Sequence, residues 1–437
     1  MGNQVTLFRF PRGGGRVQAY HPDSLTLTHW SSQQPIPAVR RILGADIDER
    51  ILWALDAQGN LFSVDLESGG VRTVLPGVTA GVLGPDGSLY LADAQHRIVR
   101  VVRRQPVRFH DPLPAAPRAL FGAVSDQLVA LTEGPPSRLI TANAEQALHS
   151  TPIPPGEAAA TAWGDLVAVA TDSALLLYET GGQRSQRSLS SVRNTRRVAF
   201  SPSGHRFYLI QDRPEIRVFD RFSLAELPAL RLPGPPREFR VDASGRWLLA
   251  RPLAGDSVWI VDLATKALAA TVAGGWSTDL PLVAGAATLL VREDDLLVTF
   301  DLRRTPPQRI ARLPSVAADF WLAAAWVPPE RVPAAVAAAE SATVAQDSAL
   351  RADSVRVAVD STVIYLQVSR TQNAEWADAL AKQLKTDGFP VSILPPKEPE
   401  DGYRVLVGPY LTREAAESTG KQLGRAYFLL HLPARHP

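Results

Sequence analysis

Along roughly the first three-quarters of the chain, apolar and polar side chains alternate in short runs that stop at clusters of Gly, Pro, Asp and Ser. A period of two puts every second side chain on one face, so each run reads as a β-strand and each cluster as a turn. Residues 239–272, "FRVDASGRWLLARPLAGDSVWIVDLATKALAATV", give a strand, an Ala-Ser-Gly turn, a strand, a Gly-Asp turn, a strand ending in Asp, and a last strand. Residues 198–232 repeat that order, with "VAFSPSGHRFYLI" followed by "EIRVFDRFSLAELPALRL". Weaker copies stand at Arg50 ("RILWALDAQGNLFSVDLESG"), Gly84 ("GPDGSLYLAD") and Asp295 ("DLLVTFDLRR"). Ser-Gly and Asp-Gly pairs supply the positive φ of a tight hairpin, and the Asp closing each third strand can bond the turn that follows.

The repeat length, roughly 40 residues, is that of one four-stranded blade. Copies begin near Val39, Val78, Pro117, Glu157, Arg196, Pro236 and Ser277. Two ends are left over: "VTLFRFPRGGGRVQAYHPDSLTLTHW" has room for three strands and "ADFWLAAAWVP" for one. Joined, they make an eighth blade from both ends of the chain and close a ring, so eight blades are favoured and seven are the alternative. On these residues the region resembles the β-propellers of YVTN and WD type, an all-β fold that implies a ring of sheets about a central channel.

The pattern changes near residue 329. Residues 329–360 turn to Ala, Ser, Asp and Pro without one aromatic side chain, the composition of a linker. From there to the end the apolar spacing switches between strand and helix. "TVIYLQVS" is a strand; "NAEWADALAKQLKTDG" is a helix with Asn373 as N-cap and Gly388 as its stop, and with Trp376, Ala377, Leu380, Ala381 and Leu384 on one stripe. "FPVSILPP" and "GYRVLVG" are strands; Thr412 caps a second helix with Ala415, Ala416, Thr419 and Leu423 inward and Gly424 at its end; "AYFLLHL" is the last strand. The order βαββαβ builds a four-stranded antiparallel sheet with both helices on one face, a small α+β domain at 361–437. The chain is thus multidomain: propeller (1–328), linker (329–360) and this unit.

One-sided helices leave the other sheet face open. Alternation puts Tyr403, Val405 and Val407 with Leu366 and Val368 on the helix side, and Tyr365, Gln367, Arg404 and Leu406 on the open side. "YLQVS" and "YRVLVGPYLTREAAE" resemble the SPOR (sporulation-related repeat) domain, a bacterial peptidoglycan-binding module: Gln367 fits its first motif, and Tyr403, Arg404, Val405, Val407, Gly408, Pro409, Tyr410 and Ala415 fit its second. Where that family continues with Gly, Ser and an aromatic, this chain has Ser369, Arg370 and Thr371. The resemblance implies binding of glycan strands stripped of stem peptides, at the division septum, through Tyr365, Gln367, Arg370, Arg404 and Leu406. Gly408 and Pro409 read as turn residues that stop the strand and aim the helix.

Charge and composition add exclusions. Lys plus Arg (46) against Asp plus Glu (44) leaves +2, no basic footprint for nucleic acid, and the C-terminal unit has nine Lys or Arg against eight Asp or Glu and no aromatic RNA-binding motif. Without cysteine there is no disulfide, thiolate nucleophile or thiolate metal ligand. No apolar run reaches the ~18 residues that span a bilayer. "MGNQVTLFRF" lacks a signal peptide's charged and apolar regions, although Met1, Gly2 and Thr6 satisfy a myristoylation pattern. A glycan-binding module points to the cell envelope or periplasm, with a removed leader and peripheral or lipid-anchored membrane association as expectations.

Other chemistry is sparse. Glu293, Asp294 and Asp295 read as a hairpin turn because a calcium loop needs oxygen ligands at regular offsets. His205 reads as a blade-edge hydrogen-bonding residue, and "RGGG" at 12–15 as a flexible turn without the strand–loop–helix context of phosphate binding. No Ser-His-Asp set, carboxylate pair or HExxH pattern stands out. No cofactor or metal is expected. The expectation is a non-enzymatic envelope protein that docks on denuded peptidoglycan and recruits another protein through its propeller; a propeller lyase or hydrolase of wall material is the alternative.

Overall fold

The computed structural model describes residues 5–329 and 362–433, apart from 103, 111, 123–126, 144–145, 182–184, 315, 317, 372–373, 387, 396–402, 411, 413–415, 417–418 and 420–427. The chain divides into two compact units, Met1–Arg331 and Val332–Pro437. The expected linker, 329–360, lies outside the described residues from 330 onward.

The first unit consists of eight four-stranded antiparallel sheets. Seven are contiguous meanders, here blades 1 to 7, whose first strands begin at Val39, Val78, Pro117, Glu157, Arg197, Pro236 and Leu282. Blade 7 therefore starts five residues later than the sequence pattern places it, because Ser277 is taken up in a turn, its N–H bonding the Leu280 carbonyl at 2.8 Å. Blade 8 joins the two ends of the unit: Leu27–Ser31, Gln18–Tyr20 and Thr6–Phe10 lie side by side, and Phe320–Ala324 adds the fourth strand against Thr6–Phe10.

What closes the ring is the placement of its cores. Eight apolar clusters alternate with the blades, each filled from two neighbours: Trp53 and Leu61 of blade 1 with Leu89 and Leu91 of blade 2, and so on around to Leu290 and Leu297 of blade 7 with Leu7 and Trp321 of blade 8. The last cluster brings Phe8, Phe10 and Trp30 of blade 8 onto Leu52 and Phe62 of blade 1. Within it Phe8, Trp30 and Trp326 form a ring trio with centroids 5.4 to 5.6 Å apart, and Trp30 donates its indole N–H to the Leu66 carbonyl of blade 1 at 2.8 Å. Eight interfaces for eight blades leave no gap in the ring, so the fold is an eight-bladed propeller rather than a seven-bladed one.

The turn chemistry follows the sequence. Asp65 and Asp220, each closing a third strand, accept from the N–H two and three residues on and from the Ser hydroxyl three residues on. Asp262 and Asp301 accept from the N–H two residues on. Gly204 and Gly245 take φ of +70° and +72° in their hairpins, a region costly for any side chain. "RGGG" is not a loose turn: Gly15 exchanges backbone hydrogen bonds with Ile36, and a Cβ on Gly14 would stand 3.0 Å from the Ile36 carbonyl.

The second unit is a four-stranded antiparallel sheet, in spatial order Val391–Leu394, Tyr403–Tyr410, Thr362–Thr371, Phe428–Pro433. One helix, Ala374–Thr386, buries Ala377, Leu380, Ala381 and Leu384 on Leu366, Val405 and Val407. Gly388 ends it at φ +88°, with Gly388 N–H on the Lys385 carbonyl and Phe389 N–H on Leu384. Of the second helix, Ala416 and Thr419 are described as helical, and Ala416 is fully buried in the same cluster. Asn373, Ala415, Leu423 and Gly424 lie outside the described residues. No described helix is long and apolar enough to cross a membrane.

Candidate functional sites on the open sheet face and in the central channel

The strand pairings sort the C-terminal sheet into rows. Leu366 pairs Val407 on the helix side; the next row, Ser392, Leu406 and Gln367, lies on the other side, with position 428 next to Gln367 in register. A bulge follows. Between Gln367 and Ser369 the first strand gains a residue relative to its partner, so position 370 falls opposite Arg404, with Leu394 beyond it. Strict alternation would put residue 370 on the helix face; the extra residue moves it to the register of the open face. The departure from the family's pattern at Ser369, Arg370 and Thr371 coincides with this bulge.

Tyr365, Gln367 and Arg404 are all partly exposed. Leu406 is not: only 2% of its surface reaches solvent. It belongs to the open face by register, yet it sits on an inner strand, flanked by Gln367 and Ser392, and cross-strand neighbours at ~5 Å cover a side chain of that length. Leu406 is therefore a packing residue under the face and not a surface against which a sugar can lie. Ser392 and Leu394 share the face, and sequence reading passed over them although "VSIL" alternates plainly between Val391 and Ile393 on the helix side.

Gly408 and Pro409 do not stop their strand, which runs on to Tyr410. A second register shift lies here, between Ile364 and Leu366 against Tyr410 and Val407. Gly408 has φ +136°, and a Cβ on it would meet the Ile364 carbonyl at 3.0 Å and the Tyr365 ring at 3.1 Å. Glycine is what lets Tyr365 lie down over the strand.

The other concavity is in the propeller. A cavity of about 850 Å³ is lined by the innermost strands of blades 1, 2, 6, 7 and 8, with Arg40, Arg41, Arg240, Asp242 and Asp279 as its charged groups and Ile42, Leu43, Leu282, Phe320 and Leu322 among its apolar ones. Both carboxylates are committed. Asp242 accepts from Ser244 N–H at 2.9 Å, Trp247 N–H at 2.6 Å and the Ser244 hydroxyl. Asp279 accepts from Trp321 N–H and the Ser277 hydroxyl at 2.8 and 2.7 Å, with Arg292 3.6 Å away. Arg240 donates to the Pro281 and Ser277 carbonyls and lies 5.2 Å over the Trp276 ring; burial pulls its pKa below the ordinary arginine value against the opposing fields of Glu238 and Asp279.

Elsewhere, Glu293 leaves the acidic run to pair with Arg309 at 2.7 Å, and Asp294 (φ +51°) makes the hairpin turn. His205 packs its ring against Phe222 at 5.7 Å, so a ring contact replaces the expected blade-edge hydrogen bond, which its backbone carbonyl supplies by accepting from Arg221 N–H.

A propeller followed by a βαββαβ unit is the class that fold and site define. Residues 360–428 match the SPOR domain family, so the C-terminal unit is a SPOR domain, a peptidoglycan-binding module of bacterial cell division and the cell envelope. No curated protein matches the chain. Among solved structures the propeller resembles AztD from Citrobacter koseri, at 12% identity, over 73% of this chain and 97% of that one, with a TM-score of 0.54. It also resembles dihydro-heme d1 dehydrogenase NirN in complex with DHE, at 15% identity, over 72% and 74% of the two chains, with a TM-score of 0.52. At such identities the likeness is one of fold.

Proposed function

We propose that this protein holds to denuded glycan strands at the septum through its SPOR domain and presents its propeller as a protein-interaction scaffold in the periplasm, without catalysing a reaction. The observation that carries the reading is the family match at 360–428 on a sheet whose helix-free face offers Tyr365, Gln367 and Arg404. A ring such as that of Tyr365 suits the apolar face of a sugar, and an amide and a guanidinium suit acetamido and carboxylate oxygens. Position 370 belongs to the same patch by register. Stem peptides obstruct a strand lying flat, so stripped glycan is the better ligand.

The non-enzymatic part rests on the channel: the two carboxylates in the cavity are engaged by backbone N–H groups, hydroxyls and Arg292, which favours binding over proton transfer there. The alternative, a lyase or hydrolase of wall material, is favoured only by the size of the cavity, which is in the range of ligand sites. Release of soluble muropeptides from purified sacculi by the wild-type protein would establish it and end the scaffold reading.

The test of the glycan face uses the full chain. Gln367→Ala with Arg404→Ala should lose co-sedimentation with amidase-treated peptidoglycan, each lost hydrogen bond costing about 1–3 kcal/mol, or roughly five- to hundred-fold in affinity. Leu406→Met, which changes a packing residue, should leave sedimentation unchanged. A folded double variant that still sediments as wild type does would mean that the face is misassigned.

A further inference from the structure

Four innermost strands carry a β-bulge at the same point, one residue after the strand begins: Val39 to Arg41 in blade 1, Val78 to Ala80 in blade 2, Pro117 to Ala119 in blade 3 and Pro236 to Glu238 in blade 6. The extra residues are Arg40, Thr79, Arg118 and Arg237, and all four are exposed. Blades 1 to 7 are each threaded from the axis outward, so their innermost strands run in one direction and begin at one mouth of the channel. A bulge re-aims a side chain out of the pleat. Here it happens repeatedly at one rim, and three times out of four the re-aimed side chain is arginine.

The rim arginines are held but not neutralised. Arg40 donates to the Val78 carbonyl at 3.1 Å and Arg118 to the Gly156 carbonyl at 2.9 Å, each reaching the start of the next blade. Each such bond engages one of five guanidinium donors. Arg237 and, one step deeper, Arg41 have no partner among the described residues. Carboxylates on the same strands are already matched: Glu157 with Arg197, Glu238 with Arg251 at 3.0 Å, and Asp46 with its own turn through Glu49 N–H at 3.0 Å. Three rim arginines from blades 1, 3 and 6 thus share one mouth, and Arg40 among them also lines the cavity with its apolar walls.

We propose that this mouth is the propeller's docking site for an acidic peptide segment of its protein partner, carboxylates lying on Arg40, Arg118 and Arg237 and apolar side chains entering the cavity. The inference rests on the scaffold reading above. Guanidinium forks match carboxylates. A single small anion reaches one or two of the arginines on blades 1, 3 and 6, whereas an extended chain bearing several carboxylates spans them. Nucleic acid needs a basic surface along its backbone, which a chain of net charge +2 does not supply.

Fluorescence anisotropy with fluorescein-labelled hexaglutamate and the full chain, at physiological salt, tests this. Arg40→Gln, Arg118→Gln and Arg237→Gln together should weaken binding at least tenfold, and Arg237→Gln alone, which breaks no described contact, at least twofold. The control triple Arg72→Gln, Arg231→Gln and Arg312→Gln, three exposed arginines of outermost strands, should change it less than twofold. Thermal unfolding of all variants is followed alongside. Absence of hexaglutamate binding by the wild type, or equal loss in both triples, overturns the proposal; so does rim-dependent binding of hexathymidylate that exceeds the peptide's. If hexaglutamate does not bind while the chain still holds an envelope protein on stripped wall, the scaffold reading stands without this site. If it holds none, both fall.

Discussion

No blade of the propeller has a core of its own, whereas the SPOR unit has a single core that is wholly its own. Each propeller cluster is filled by two neighbouring blades, and the one between blades 8 and 1 depends on segments about 300 residues apart, with Thr6 donating its hydroxyl to the Trp326 carbonyl across 320 positions. In the SPOR unit one cluster, from Ile364 to Ala416, gathers helix and sheet. The difference teaches where information about binding can be stored. A surface built from one short segment is written contiguously; a surface around a ring axis is written once per blade, at intervals of roughly 40 residues.

The sharpest way to break the comparison is to open the ring. Deleting the first 30 residues removes three of blade 8's four strands, together with Phe8, Phe10 and Trp30. Loss of one buried Phe or Trp costs about 3–5 kcal/mol, and three together rival the ~5–15 kcal/mol that holds a typical domain folded. We expect the propeller transition in calorimetry to disappear while the SPOR transition persists at its wild-type temperature. A truncated chain that keeps the propeller transition would show that closure contributes little.

The corresponding lesion in the small unit is a single side chain. Gly408→Val forces a β-branched residue to φ +136° and pushes its Cβ to 3.0 Å from a backbone carbonyl. Strained backbone of this kind costs on the order of 1–3 kcal/mol. The SPOR transition should fall and glycan sedimentation weaken through displacement of the Tyr365 ring, with the propeller transition untouched. Gly77→Val, at φ +70° but with open space around its Cβ, serves as the control in the other unit and should cost less there. Equal effects at the two glycines would mean that the close approach at Gly408 is immaterial.

Much of this was legible in the chain itself. The strand alternation, the Ser-Gly turns and the third-strand Asp residues located blades 1 to 6 to within a residue, and the leftover ends "VTLFRF" and "ADFWLAA" located blade 8. Alternation failed where a bulge intervened, because an extra residue reverses the faces without altering composition. That is why residue 370 changes register and why Gly408 and Pro409 sit within a strand rather than at its end. Leu406 failed differently: periodicity assigns a face but carries no information on how far neighbours cover it. The rim arginines were illegible for a third reason. Arg40, Arg118 and Arg237 stand 78 and 119 positions apart and share no local motif; only the threading of the blades brings their positions to one mouth.

The smallest effect expected is a dependence on acid that the propeller should show through its turns. Hydrogen bonds from Ser223 hold the Asp220 carboxyl below its ordinary pKa, and those from Arg303 do the same for Asp301. At Asp65 burial pushes upward, but Ser68 and Arg104 outweigh it and the net displacement is again downward. A carboxyl whose folded pKa lies below its unfolded value, about 3.9, contributes stability that is fully present above that value and is lost as pH falls through the folded pKa. The propeller midpoint should therefore hold level between pH 7 and pH 5 and fall below about pH 4. Asp65→Asn, Asp220→Asn and Asp301→Asn together keep an oxygen for each turn N–H and remove the titration, so the triple variant should start slightly lower at pH 7 and lose less on acidification. Calorimetry at pH 7, 5 and 3 compares the two slopes. Parallel slopes for wild type and variant would mean that these aspartates, although they tie every turn they close, do not set the propeller's response to acid.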